Sequence, residues 1–203
     1  RGYLDRGVPV DGVGTQSHVG LTYPDLEEWE RTIATYAGMG LKVHVTELDV
    51  DVLPTPADTG ADVVNRAAYS RDNDPWREGL PDEIQQKLAD RYAQLFRILL
   101  RNRKHVERVT FWGLHDGISW KNDFPVPGRT NYPLLFDRDM KPKPAYERLM
   151  KLALDEALVI GRPGAKRSYS NRGIDAAAEY LADRTGRPFA DERSDRALDL
   201  LDE

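Results

Sequence analysis

The chain has 203 residues, 40% of them hydrophobic and 31% charged, enough for one good-sized core or a domain with an appendage. A net charge of -5 with no basic run argues against a nucleic-acid partner, and no apolar stretch reaches the roughly 20 residues of a membrane-spanning helix. Zero cysteines exclude disulfides, thiolate metal sites and a cysteine nucleophile, while a start at Arg1 without methionine suggests a fragment or processed product.

Residues 1–7 read as the end of a helix, stopped by Gly7 with Pro9 just beyond. Val8 to His18 reads as a strand. A side-chain period of two puts Gly14, Gln16 and His18 on one face and Val13, Thr15 and Ser17 on the other. Pro24 opens an amphipathic helix whose apolar positions are Leu26, Trp29, Ile33 and Tyr36, ended by Gly38 and Gly40. A second strand covers residues 42–49. Its alternation places Val43, Val45, Glu47 and Asp49 together, with His44, Thr46 and Leu48 facing the other way, His44 toward the helices. This is a β-α-β unit, which puts two parallel strands in one sheet.

Residues 54–80 form a long connection rich in Pro, Asp, Asn and Gly, and loops of that length tend to be functional or disordered. Pro81 then opens a helix with the stripe Ile84, Leu88, Tyr92, Leu95 and Leu99. His105 falls in the turn to a third strand, 106–114, which leads into a long loop, 115–131. A third helix, 143–154, turns Tyr146, Leu149, Met150 and Ala153 inward. The alternation predicts an α/β fold for residues 1–154. From about Gly161 the apolar stripe thins and charges of both signs alternate. Residues 155–203 therefore read as a weakly packed, helical or partly disordered tail, with candidate short helices over 174–184 and 191–201.

Chemistry gathers at the strand ends. Two acids, Glu47 and Asp49, close a strand that begins aliphatic, a poor choice for packing and a good one for a wet cleft. In a parallel α/β barrel the carboxyl ends of the strands converge on one face. Gln16, His18, Glu47, Asp49, Trp112 and Trp120 would then be neighbours. Asp49 would hold His18 in one tautomer, and His18 would donate to Glu47, a plausible nucleophile. The two tryptophans offer flat apolar faces that stack on sugar rings. Alone, His18 would more often be a satisfied polar residue at a strand end, and Trp29 at helical spacing is core. His115 follows the third strand and is a candidate cleft residue. Lys121, Asn122, Arg129 and Asn131 sit in the last loop, where cleft residues gather. Tyr69 and Trp76 fit packing of the long loop better than a sugar platform. No cluster with metal-ligand spacing appears, and the chemistry needs no metal or cofactor.

The stretches 10–18 (VDGVGTQSH), 45–50 (VTELDV) and 111–120 (FWGLHDGISW) resemble three successive strand motifs of the family-10 glycoside hydrolases, and 129–137 (RTNYPLLFD) with 141–146 (KPKPAY) resembles the segment before the family's last helix. The resemblance covers residues 1 to about 152. It implies an endo-1,4-β-xylanase, a (β/α)8 TIM barrel represented here by strands six to eight with their helices, and a retaining mechanism. By position it makes Glu47 the nucleophile, His18 and Asp49 its supporting relay, Gln16 a neighbouring contact, and Trp112 and Trp120 walls around the sugar. It implies xylan or xylo-oligosaccharide as substrate, the missing part of the barrel as a partner, and a secreted or periplasmic location. The family's acid/base, a Glu after Asn at the end of strand four, is missing from this chain. Asn65-Arg66 imitates that motif but lies in the long loop after the Glu47 strand. The expectation is a chain that is inactive or nearly so by itself. The alternatives are a non-catalytic carbohydrate-binding remnant and a truncated reading-frame product.

Overall fold

The computed structural model of the chain describes residues 2–54, 74–125 and 127–160, with side chains through residue 155. Its elements are β1 (Gly12–Thr15), β2 (His18–Gly20), α1 (Leu26–Gly38), β3 (Lys42–Asp51), α2 (Asp82–Arg101), β4 (Val106–Phe111) and α3 (Pro144–Ile160), with 3-10 turns at Leu4–Arg6 and Asp116–Ile118. All of them belong to the first of the two units into which the chain divides, Arg1–Arg162. The expected tail helices, Tyr69 and the Asn65-Arg66 pair lie outside the described residues.

β3 is the central strand. Every pairing is parallel: β1 along its first half, β2 along its second half, and β4 on the opposite edge. The single strand expected over residues 8–18 is thus two short strands on one side of β3. Ser17, at φ 65°, breaks the run in a left-handed conformation that extended backbone cannot hold. Across the break β1 and β2 advance three residues, from Thr15 to His18, while β3 advances four, from Val45 to Asp49.

The same misfit recurs on the other side. From Val45↔Val109 to Leu48↔Phe111, β3 carries one more residue than β4. An extra residue of this kind is a bulge, and it reverses the phase of the strand. The core shows it: Val43 and Val45 are buried, and so are Leu48 and Val50, a spacing of three interrupting the period of two. These four pack with Trp29 and Ile33 of α1 and with Leu88, Leu95 and Leu99 of α2. The face assignments are therefore corrected. Glu47 and Asp49 do not share a side with Val43 and Val45, Leu48 does, and His44 does not face the helices. His44 is half-buried and bonds Glu107 of β4 through Nε2 at 3.1 Å.

The helices follow their stripes. Asp25 caps α1 by accepting from Glu28 N at 2.9 Å, and Trp29 and Ile33 enter the core. In α2, Leu88, Tyr92, Leu95 and Leu99 are all buried, each aliphatic side chain stabilising the fold by about 1.5–3 kcal/mol. Arg91 is buried too. It donates to Gly20 O at 3.0 Å and Pro24 O at 2.6 Å, which fastens α2 to the segment between β2 and α1. α3 runs six residues beyond the end expected for it, with Ala145 and Leu149 most deeply buried; Tyr146, Met150 and Ala153 are half-buried.

Candidate active site

The site is built on the last residues of β3. Because β2 pairs His18 directly with Asp49, the imidazole comes to lie between two acids of the neighbouring strand. His18 Nε2 is 3.1 Å from Glu47 Oε2, and Nδ1 is 3.1 Å from Asp49 Oδ2. These two contacts are unequal. The first is an aligned hydrogen bond. The second is close enough for attraction but out of line, and Nδ1 forms no hydrogen bond among the described residues. Asp49 Oδ2 accepts instead from Trp120 Nε1 at 2.7 Å. Gln16 Nε2 donates to Glu47 Oε1 across 3.5 Å, a long contact. Glu47 remains partly open to solvent, whereas Asp49 is 0% exposed. One acid is presented and the other is enclosed.

Aromatic surfaces flank the acids. Trp112 follows β4, its N–H donating to Leu48 O at 3.0 Å, and its side chain is 45% exposed. The next residue, Gly113, sits at φ 144°, with Leu134 so close that a Cβ would meet it at 2.7 Å, so glycine is required there. Trp120 is 37% exposed and its ring lies 4.9 Å from that of His18 and 4.8 Å from that of Phe124.

The remaining expected residues are placed differently. His115 Nδ1 accepts from Gly117 N at 3.2 Å and so caps the short turn Asp116–Ile118. Lys121 and Arg129, expected against sugar, are 7% and 5% exposed. Their charged ends turn to the acids of β3: Lys121 Nζ is 3.5 Å from Asp49 Oδ1 and 3.7 Å from Asp51 Oδ2, and Arg129 Nη2 is 4.0 Å from Asp51 Oδ2. Asn131 is buried as well, donating to Asp51 Oδ1 at 2.8 Å and accepting from Tyr132 N at 2.9 Å. Asn122 accepts from Asn131 N at 3.1 Å. Trp76 is partly buried against the core, with Tyr132 Oη donating to its carbonyl at 2.9 Å.

Sequence reasoning missed two supports. Asp51 continues the post-bulge alternation from Glu47 and Asp49, a signal that reading two residues further would have caught. Asp116 and Lys143 form a buried ion pair at 2.8 Å beneath the loop, with Leu134 N donating to Asp116 at 2.8 Å and Lys143 Nζ to Tyr132 O at 2.8 Å. Burial pushes the Asp116 carboxyl up and the Lys143 ammonium down, each against the attraction of the other. Nothing in their spacing announces the pair. Among the described residues no group of three His, Asp or Glu side chains is arranged to hold a metal ion.

A carboxylate bonded to an imidazole, backed by a second enclosed carboxylate and flanked by open tryptophan faces, has the parts of a nucleophile in a sugar cleft. The sequence model of glycosyl hydrolase family 10 matches residues 1–152. The chain belongs to glycosyl hydrolase family 10. Endo-1,4-beta-xylanase A of Xylanibacter ruminicola is 42% identical over 147 residues, which are 72% of this chain and 40% of that protein. A family-10 endoxylanase retrieved from a sugarcane soil metagenome superposes with a TM-score of 0.67 at 47% identity, covering 74% of this chain and 42% of the other. A mutant structure in complex with xylotriose aligns with a TM-score of 0.60 at 35% identity, over 73% of this chain and 41% of that one. The chain thus spans about two-fifths of the length of these relatives. The family fold is a (β/α)8 barrel, and the parallel sheet with its helices is consistent with part of one.

Proposed function

We propose that this chain carries strands six to eight of a retaining endo-1,4-β-xylanase and supplies its nucleophile, Glu47. A Glu47 carboxylate oxygen attacks the anomeric carbon of a xylosyl unit; the new C–O bond forms as the glycosidic C–O bond breaks, leaving a covalent glycosyl-enzyme that water then hydrolyses. His18 orients the attacking group, and Trp112 and Trp120 bound the sugar. The observation that carries this reading is the aligned 3.1 Å bond from His18 to Glu47, made beside the enclosed carboxylate of Asp49.

Retaining chemistry also needs a second carboxyl group about 5–5.5 Å from the nucleophile to protonate the leaving oxygen. On this reading that group belongs to the part of the family domain the chain does not span, and xylan and the missing barrel segment are its two partners. The protein works outside the cytoplasm, where xylan is met; no described helix is long and apolar enough to cross a membrane. Loss of general acid catalysis alone costs about 10²–10⁴-fold, so the isolated chain is expected to turn over xylan barely or not at all.

A substrate whose leaving group departs unprotonated isolates the first step. With 2,4-dinitrophenyl 2-deoxy-2-fluoro-β-xylobioside, the chain should gain the mass of one fluoroxylobiosyl group on Glu47, and Glu47→Ala should gain none. Labelling of the Ala variant, or full xylan turnover by the chain as it stands, would overturn the proposal. A second reading, sugar binding without chemistry, draws on the exposure of Trp112 and Trp120. Xylo-oligosaccharide binding lost in Trp112→Ala, with no labelling of Glu47, would favour it.

A further inference from the structure

The two oxygens of Asp49 are used unequally. Oδ2 accepts from Trp120 and faces His18, as described above. Oδ1 receives no hydrogen bond among the described residues, yet Lys121 Nζ stands 3.5 Å from it. The same ammonium lies 4.8 Å from the centre of the Trp120 ring. A carboxylate closed off from water is costly unless an opposite charge compensates it, and Lys121 is itself more than nine-tenths buried. The neighbouring Asp51 has its own support in Asn131 and in Arg129. Lys121 also lies 3.7 Å from Asp51 Oδ2, but among the described lysines and arginines it is the one that closes on Asp49.

We propose that Lys121 is a positioning residue: an internal counter-charge that fixes the Asp49 carboxylate and, through it, the Trp120 indole and the His18 imidazole beside Glu47. Its catalytic meaning rests on the reading of Glu47 as the nucleophile; its structural effect does not. An ammonium at this distance attracts without claiming a hydrogen-bond direction. Asp49 therefore keeps Oδ2 for the indole. A lysine reaching for sugar would need its ammonium in the cleft, and this one is spent on two acids.

The absence of cysteine makes a clean test available, because Lys121→Cys introduces a single thiol. Alkylation in the unfolded chain with 2-bromoethylamine, the sulfur displacing bromide, restores an ammonium on a side chain close to lysine in length. Alkylation with 1-bromopropane gives nearly the same shape without the charge. The readout is the Trp120 indole N–H in the ¹⁵N–¹H spectrum, identified by its loss in Trp120→Phe. The aminoethylated protein should keep the native resonance. The propylated protein should move it and quicken its exchange with solvent by about tenfold or more, the loss expected for a charge-assisted hydrogen bond. Identical indole behaviour in the two proteins would overturn the proposal. If the propylated chain fails to refold, Asp49→Asn is added to it: recovery of folding supports the proposal, because the uncompensated carboxylate is gone, and no recovery overturns it. Fluorosugar labelling of the unmodified chain separates the two readings. Unlabelled Glu47 with a charge-sensitive indole sinks the enzyme reading alone; labelled Glu47 with an indifferent indole sinks only the role of Lys121.

Discussion

Among the described residues two histidines each turn Nε2 to a glutamate of the same sheet, His18 to Glu47 and His44 to Glu107, both at 3.1 Å, and only one of these pairs has the makings of a site. His44 and Glu107 meet at the amino-terminal end of β3, on side chains 37% and 50% exposed, with Lys42 Nζ 3.6 Å from the same carboxylate. His18 and Glu47 meet at the carboxyl-terminal end, where a fully buried acid and two tryptophans surround the imidazole. Distance does not separate the pairs; surroundings do. Water screens the first and lets its members exchange partners. The second is held by neighbours that cannot be rearranged without exposing a buried charge, so its geometry is set by the fold.

The comparison can be broken most sharply by removing each histidine in turn. His18→Gln should slow fluorosugar labelling of Glu47 by about 10²-fold, the penalty for a nucleophile held out of place, while His44→Ala should leave the labelling rate unchanged. Equal effects, read by intact mass against time, would show that burial makes no difference between the pairs.

Next in size is the buried support under the loop. Lys143→Met leaves Asp116 enclosed without its cation and should cost about 3–5 kcal/mol of stability in urea unfolding. The double variant Asp116→Asn with Lys143→Met should recover much of that loss, since no charge is then left uncompensated.

A smaller, pH-dependent effect follows from Asp116 itself. Burial, first, raises its carboxyl above the ordinary aspartate value, with Lys143 pulling the other way. An acid with a higher pKa in the folded state binds its proton more tightly there. Its contribution therefore favours folding at low pH and is lost as pH rises from the ordinary value through the raised one. Asp116→Asn should remove that segment from a plot of unfolding midpoint against pH.

The smallest change is expected at the exposed pair. The His44 hydrogen bond, and then the charge of Lys42, hold Glu107 below the usual carboxylate range. A lowered acid stabilises above its ordinary value and loses that contribution as pH falls through the lowered one. Glu107→Gln should trim this acid limb slightly at low salt and not measurably at high salt, as solvent screening demands.

Local pattern carried much of this molecule. Pro24 marks the approach to α1, the 3–4 spacing of Leu88, Tyr92, Leu95 and Leu99 marks the buried face of α2, and both hold in the structure. The grouping of Gln16, His18, Glu47, Asp49, Trp112 and Trp120 was legible because a parallel sheet brings successive strand ends together and because the motifs resemble those of one family. Alternation was the weak instrument. It assumes a period of two, and the extra residue between Val45 and Leu48 breaks that assumption through pairing with neighbours distant in sequence.

By its residues alone, then, this chain specified the helices α1 to α3, its family and the groups we propose to act on a sugar, since those depend on side-chain type and spacing along one segment. Tertiary structure decided which atoms meet: that Glu47 is presented and Asp49 enclosed, that Trp120 rather than His18 makes the aligned bond to Asp49, and that Lys121 and Arg129 turn inward. Burial and bond direction are properties of the assembled sheet and loop, set by a bulge and by charges that must find partners once water is removed, and no single segment contains that information.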